Sequence, residues 1–261
     1  MNIFQNIASL FSSKSDKNST PEPVKPASPS PESPIKKDEK PFKDTIIKIL
    51  NCFETGSANT DYSSVFKYRD GDNGKKVQVT LGRGFTECGG ALWKVFEQYQ
   101  KLGGVNASQL LSYKKYSCQE NLPYNTTFLN LIKASKDDEL FKKAQDEVYD
   151  EVYWAGGAKW FNDKGFKLPL SLAVIQDSIL HSGSMLQFLM DKFPEVPPVK
   201  GGDEKSWIIA YVNARHNWLQ NHSNKILNNT IYRTKFLKGE IAKNNWNLEN
   251  FPIYPNGVKI A

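Results

Sequence analysis

Four carboxylates, Glu54, Asp61, Asp70 and Asp72, fall in one short stretch of this chain. Two carboxyl groups of unequal acidity are what cleavage of a glycosidic bond requires. One is protonated and donates to the leaving oxygen; the other is ionised and activates water or attacks. Partial burial raises the pKa of the first, and solvation keeps that of the second low. Glu54 suits the acid. It lies four residues after Leu50 and seven after Ile47, so it shares their apolar stripe, and Thr55-Gly56-Ser57 ends the helix there. Asp70 or Asp72, in a polar turn, suits the second role. On spacing alone the plain alternative stands beside it: a Glu closing an apolar helix is a solvated end, and an Asp in a tight turn serves the turn.

The elements that must position these groups can be read from periodicity. Asp44 is a candidate N-cap, followed by Ile46, Ile47, Ile49, Leu50 and Phe53 at helical spacing. A strand over 64–69 and a return strand over 76–81 flank Asp70-Gly71-Asp72-Asn73-Gly74, a strong hairpin signal. Gly82-Arg83-Gly84-Phe85-Thr86 leads into a second helix with Leu92, Val95, Phe96 and Tyr99 on one face. Helices are expected over 137–154, 170–180, 184–192, 204–220 and 230–240. The pattern is a helical domain, α+β but mainly α, with one small β-hairpin near its start.

With 261 residues and 39 % hydrophobic content the chain can bury a sizeable core. Residues 1–41 are set apart. From Ser12 to Pro41 the sequence is rich in Ser, Pro, Lys and Glu, too poor in apolar side chains to offset its ordering entropy, and reads as a tether. Met1 to Ser13 carries Ile3, Phe4, Ile7, Leu10 and Phe11 at amphipathic spacing. That is either a frayed tail or a docking helix for a delivery partner or a membrane. It lacks the basic and apolar regions of a secretory signal, so the export route is open. The folded domain is expected over 42–261. Cys52, Cys88 and Cys118 are too few for a disulfide framework and allow one bridge with one free thiol. With no CxxC pair and three histidines, a zinc site is not expected. The net charge of +6 favours anionic partners. The lysines are dispersed and the aromatics fall at core-like spacings, which speaks against nucleic acid.

Beyond these patterns, Glu54, then Tyr68-Arg69-Asp70-Gly71, then Val79 to Thr86 resembles the catalytic region of the chitosanases of glycoside hydrolase family 46. In the hairpin the chain is also similar to phage-type lysozymes, with Tyr68-Arg69-Asp70 matching their Tyr-x-Asp. The likeness continues through Leu140 to Tyr153, through Ile175-Gln176-Asp177-Ser178 to Gly183, and through Gly201-Gly202-Asp203-Glu204 with Ala214-Arg215. The resemblance implies a lysozyme-like, two-lobed helical domain with the small sheet beside an active-site cleft. It implies Glu54 as general acid, Thr86 as a residue that helps hold the attacking water, and a buried network of Asp177, Arg215 and Arg233 behind the acid. A fixed guanidinium near Glu54 would orient it and tune its pKa; without the resemblance these three residues read as ordinary helix-to-helix ion pairs. Tyr62, Tyr68 and Arg83 are candidate sugar contacts. No metal or organic cofactor is implied.

Two departures bear on mechanism and substrate. The family places its base Asp directly before Gly-Arg-Gly, where this chain has Leu81. The base is therefore expected elsewhere, at Asp70 first, with Asp72 and Asp61 as alternatives. The family also carries an acid early in the next helix that recognises a free amine, where this chain has Ala91. A basic chain lacking that carboxylate points first to an anionic amino-sugar polymer, the β-1,4 glycan of peptidoglycan, cut by a muramidase-like enzyme acting on a cell wall in the periplasm or outside the cell. The alternative is chitosan, and a further one is an inactive glycan-binding module. For an inverting mechanism the two carboxyls should stand about 6.5–9.5 Å apart.

Overall fold

The structure, a computed structural model, describes residues 40–261; the candidate helix at Met1 to Ser13 and nearly all of the tether lie outside the described residues. Helix α1 runs Lys40–Thr55, beginning one turn before the Asp44 expected to cap it. Ile46, Ile49, Leu50 and Phe53 form its buried stripe at i, i+3, i+4 and i+7. The helix stops where Gly56 takes φ of +71° and its N–H reaches the Cys52 carbonyl at 3.1 Å, a left-handed closure suited to glycine.

Strands β1 (Val65–Asp70) and β2 (Lys76–Leu81) pair antiparallel, with Tyr68 opposite Gln78 and Val65 opposite Leu81. The expected turn is a single helical turn, Gly71–Gly74. A two-residue strand β3 (Phe85–Thr86) extends the hairpin to three strands, too short for alternation to have revealed it.

Among the described residues eight further helices of six residues or more follow: α2 (Ala91–Lys101), α3 (Ala107–Ser112), α4 (Thr126–Ser135), α5 (Glu139–Tyr149), α6 (Ala155–Asp163), α7 (Pro169–Ser182), α8 (Glu204–Gln220) and α9 (Tyr232–Ala242). The long helix expected over 137–154 is α5 plus a π-helical stretch, Asp150–Trp154, that leads into α6. The helix expected over 184–192 shrinks to one turn, Gln187–Met190. Helix α6 was hidden by Gly156-Gly157; a Cβ at Gly157 would lie 2.5 Å from the Gln176 amide, so close packing on α7 overrides poor helix propensity. Local caps set the other starts. Asp138 accepts from Leu140 N at 2.8 Å and Asp203 from Ser206 N at 2.8 Å.

The elements form two halves. Helix α2 packs on α3, α5 and the sheet, while α7 packs on α1, α6, α8 and α9. Every residue of α7 from Leu170 to Ser178 is buried, so it is the central rod of its half. One apolar core runs through both halves. Among the described residues no helix is long and apolar enough to cross a membrane.

Candidate active site

Glu54 closes α1 on the face turned to α7, α8 and α9. Its side chain is 3 % exposed. Arg233, in the first turn of α9, donates from Nη2 to Glu54 Oε1 and from Nη1 to Asp177 Oδ1 at 2.7 Å. Arg215 of α8 donates from Nη1 to Asp177 Oδ2 at 2.5 Å. Four charges thus alternate in sign across four helices, all essentially out of water. Ions taken out of water cost several kcal/mol each unless such pairing compensates them. Tyr232 ties the end of α1 to α9, its hydroxyl donating to the Phe53 carbonyl at 2.6 Å.

The electrostatics divide the two carboxyls. Asp177 would be raised by burial, but Arg215 and Arg233 outweigh it and hold it at about 2. Glu54 has one guanidinium rather than two. Burial pushes its carboxyl above the ordinary range, and the opposing pull of Arg233 does not cancel that. Its second oxygen, Oε2, is buried and has no hydrogen-bond partner. Next to the network His181 is buried; burial, then Arg233 and Arg215, push it well below its usual value and keep it neutral.

The chain after Gly56 folds back onto α1. Asn51 holds it, donating to Thr60 Oγ1 at 3.2 Å and to the Ala58 carbonyl at 3.4 Å. Asp61 follows, and its Oδ1 accepts from the amides of Ser64 at 2.9 Å and Ser63 at 3.0 Å. Burial alone would raise its carboxyl, but these Ser64 and Ser63 bonds hold it below the ordinary value. The Gly82-Arg83-Gly84 turn packs directly on this segment. Gly82 N donates to the Ser64 carbonyl at 2.7 Å, and a Cβ at Gly82 would come 2.3 Å from the Asp61 carbonyl oxygen. Arg83 passes beneath, its guanidinium 3.5 Å from the Tyr149 ring and donating to Asp146 Oδ1 at 2.7 Å. Its Nε and Nη2 are buried without partners. Tyr62 also donates to Asp146, at 3.0 Å.

Two cavities meet at Arg83. The smaller, ≈ 10 Å³, is lined by Leu50, Asn51, Glu54, Thr55, Asp61, Arg83, Tyr149 and Leu180. The larger, ≈ 390 Å³, includes Lys43, Lys48, Tyr62, Arg83, Asp146 and Asp150. So the structure brings Glu54, Asp61 and Arg83 together, with Tyr62 adjoining, and joins Asp177, Arg215 and Arg233 to Glu54 in one buried network. Asp70 departs from expectation: it ends β1, accepts from Gln78 Nε2 at 2.7 Å and lines neither cavity. Asp72 is exposed on the helical turn. Their polar turn was read locally, and neither residue lines the cavity of Glu54. Tyr68 stacks on Phe66 at 5.7 Å and lines neither cavity; nor does Thr86, whose hydroxyl lies against Gly89. Asp146 and Tyr149 were missed as site residues; their signal was the i, i+3 placement of an acid and an aromatic in the block that resembles the family. Among the described residues no cluster of His, Cys, Asp and Glu could hold a metal.

Comparison with known proteins completes the description. The chain is 27 % identical over 239 residues to a chitosanase of Bacillus subtilis (strain 168), covering 84 % of this chain and 82 % of that one. Its fold matches the crystal structure of native chitosanase from Bacillus subtilis MY002, with a TM-score of 0.67 and 27 % identity over 85 % of this chain and 99 % of that one. It also matches a Gynuella sunshinyii family-46 chitosanase in complex with chitotetraose, with a TM-score of 0.65 and 19 % identity over 84 % of this chain and 97 % of the other, a likeness of fold. Residues 48–253 match the family described as glycosyl hydrolase family 46, and with that span, the mainly helical fold and the helix-terminal Glu54, this chain belongs to glycoside hydrolase family 46.

Proposed function

We propose that the chain is an endo-acting chitosanase, hydrolysing β-1,4 bonds between glucosamine units of chitosan with inversion at the anomeric carbon. The observation that carries this is Glu54: a carboxyl raised by burial, held on one side by Arg233 and unpartnered on the other, beside a cavity it shares with a second carboxylate. A carboxyl whose pKa is raised by burial is suited to give a proton to a leaving oxygen. In the proposed reaction Glu54 gives its proton to the glycosidic oxygen as that bond breaks. Water attacks the anomeric carbon from the other face and loses a proton to an ionised carboxylate. Arg83, with two buried nitrogens unpartnered and a place on both cavities, is a donor for sugar hydroxyls, and Tyr62 borders the same space. A role for Thr86 at the water rests on the sequence resemblance.

The sequence pointed first to peptidoglycan; the comparisons favour the alternative. The proteins named above are chitosanases, and a variant of the Bacillus subtilis MY002 enzyme was solved with six GlcN. Net charge also counts for less at the cleft. Lys43, Lys48 and Arg83 there face Asp44, Asp146 and Asp150, so the cavity has no excess of cations although the chain carries +6. The Cys88–Cys118 bridge supports action in an oxidising compartment.

Mass spectrometry of products tests the proposal. Wild type and Glu54→Gln are each incubated with chitosan and with peptidoglycan sacculi. Glucosamine oligomers from wild type alone are expected, with a rate loss of about 10²–10⁴-fold or more in the variant. Muropeptides in place of glucosamine oligomers would restore the muramidase reading. Retained oligosaccharide binding with no product from either polymer would make the chain a glycan-binding module.

A further inference from the structure

Resting on the glycosidase reading, we infer that Asp61, on the returning segment after α1, is the base that takes the proton from the attacking water opposite Glu54. The cavity that holds Glu54 is lined by one other carboxylate, Asp61, together with Arg83 and Tyr149 as its remaining titratable groups. Its volume, ≈ 10 Å³, is about the scale of a single water. The floor of that cavity is fixed from both sides. Asn51 of α1 draws in the segment through Ala58 and Thr60, and the Gly82 turn closes on the Asp61 carbonyl so tightly that no Cβ fits.

The amides of Ser63 and Ser64 both donate to Oδ1, which orients the carboxylate and leaves Oδ2 off the loop amides. These bonds favour the ionised form, as a base needs. Three other acids are occupied otherwise. Asp177 is clamped between two arginines. Asp146 is bound by Arg83 and Tyr62. Glu87 is fully buried and accepts from the Cys118 amide. Leu81, immediately before the Gly-Arg-Gly turn, is fully buried and brings no oxygen.

The step balances without a further reactant. A water oxygen forms the new bond to the anomeric carbon, one of its protons passes to Asp61, and the old glycosidic oxygen leaves with the proton of Glu54. The two carboxyls then exchange protons with solvent to restore the starting state.

The test uses the full chain and a defined glucosamine hexamer. Asp61→Asn keeps the oxygen that accepts from Ser63 and Ser64, so its melting curve should match wild type. Its kcat should fall about 10²–10⁴-fold with little change in KM, and the acidic limb of the pH–rate profile should disappear. In Asp61→Ala, sodium azide should restore turnover as a glycosyl azide of inverted configuration. Asp61→Asn activity within about threefold of wild type, or an unchanged acidic limb, would overturn the assignment; so would loss of turnover in Asp70→Asn but not in Asp61→Asn. A wild-type chain that cuts nothing would sink the glycosidase reading along with its base. An active wild type with an active Asp61→Asn sinks the base alone.

Discussion

Replacing Arg233 by Met strips Glu54 of its guanidinium partner and leaves Asp177 with Arg215 alone. Removing one partner of a buried pair costs about 3–5 kcal/mol, because the other charge stays out of water. For a folded domain of this size 1 kcal/mol moves Tm by about 2–4 °C, so the variant should melt about 6–20 °C lower. The deficit should depend on pH. Burial already raises Glu54 against the pull of Arg233, and without that pull the carboxyl rises further. A carboxyl raised above its unfolded value contributes stability that is fully present below the unfolded pKa and is lost as pH rises through the folded one. The gap to wild type should therefore widen between pH 5 and pH 8, and the basic limb of any activity profile should move up. Arg233→Lys keeps the charge but cannot span both carboxylates as the planar fork does, and should fall between. Circular-dichroism melts at both pH values measure this. A Tm within about 2 °C of wild type, or a gap that widens toward acid instead, would refute the reasoning.

Other expectations rest on neighbouring contacts. Reducing the Cys88–Cys118 bridge, or replacing both cysteines by Ser, reopens a loop spanning 30 positions and should cost about 3–4 kcal/mol, read as a lower melting temperature with dithiothreitol. Gly82→Ala places a methyl 2.3 Å from the Asp61 carbonyl at a φ of +44°; it should cost about 2 kcal/mol or more and lower kcat, and a variant of wild-type stability and rate would count against the packing described. Asp177, held at about 2 from an ordinary 3.8, contributes stability that is present above the unfolded pKa and lost as pH falls through the folded one. Unfolding free energies from urea melts should accordingly drop by about 2 kcal/mol from this group between pH 4 and pH 2; a flat profile would argue against it.

What the sequence disclosed depended on whether the cause was local. Glu54 could be read because its position follows from its own helix: Leu50 and the 55–57 breaker place it at a buried end. The strands could be read from alternation and the turn between them. Asp177, Arg215 and Arg233 share no local pattern, and only the resemblance of whole blocks singled them out. Asp70 was chosen for its exposed turn, a local virtue, whereas Asp61 reaches the Glu54 cavity through contacts from Asn51 and Gly82 that periodicity does not carry. Helix α6 escaped because its glycines matter only against Gln176. Net charge pointed to a polymer other than the one proposed, for a related reason. Net charge sums the whole chain, while a polymer meets only the balanced side chains of one groove.

The hydrogen bond between Arg233 and Glu54 joins residues 179 positions apart. During synthesis α1 leaves the ribosome long before α9 exists, so its terminal carboxyl spends that interval hydrated, at an ordinary acidity, with no guanidinium to aim it. Residues are added at about 5–20 per second, which makes the wait about ten seconds or more. A nascent chain therefore carries Glu54 without the buried guanidinium network around it, which is completed only when α9 arrives.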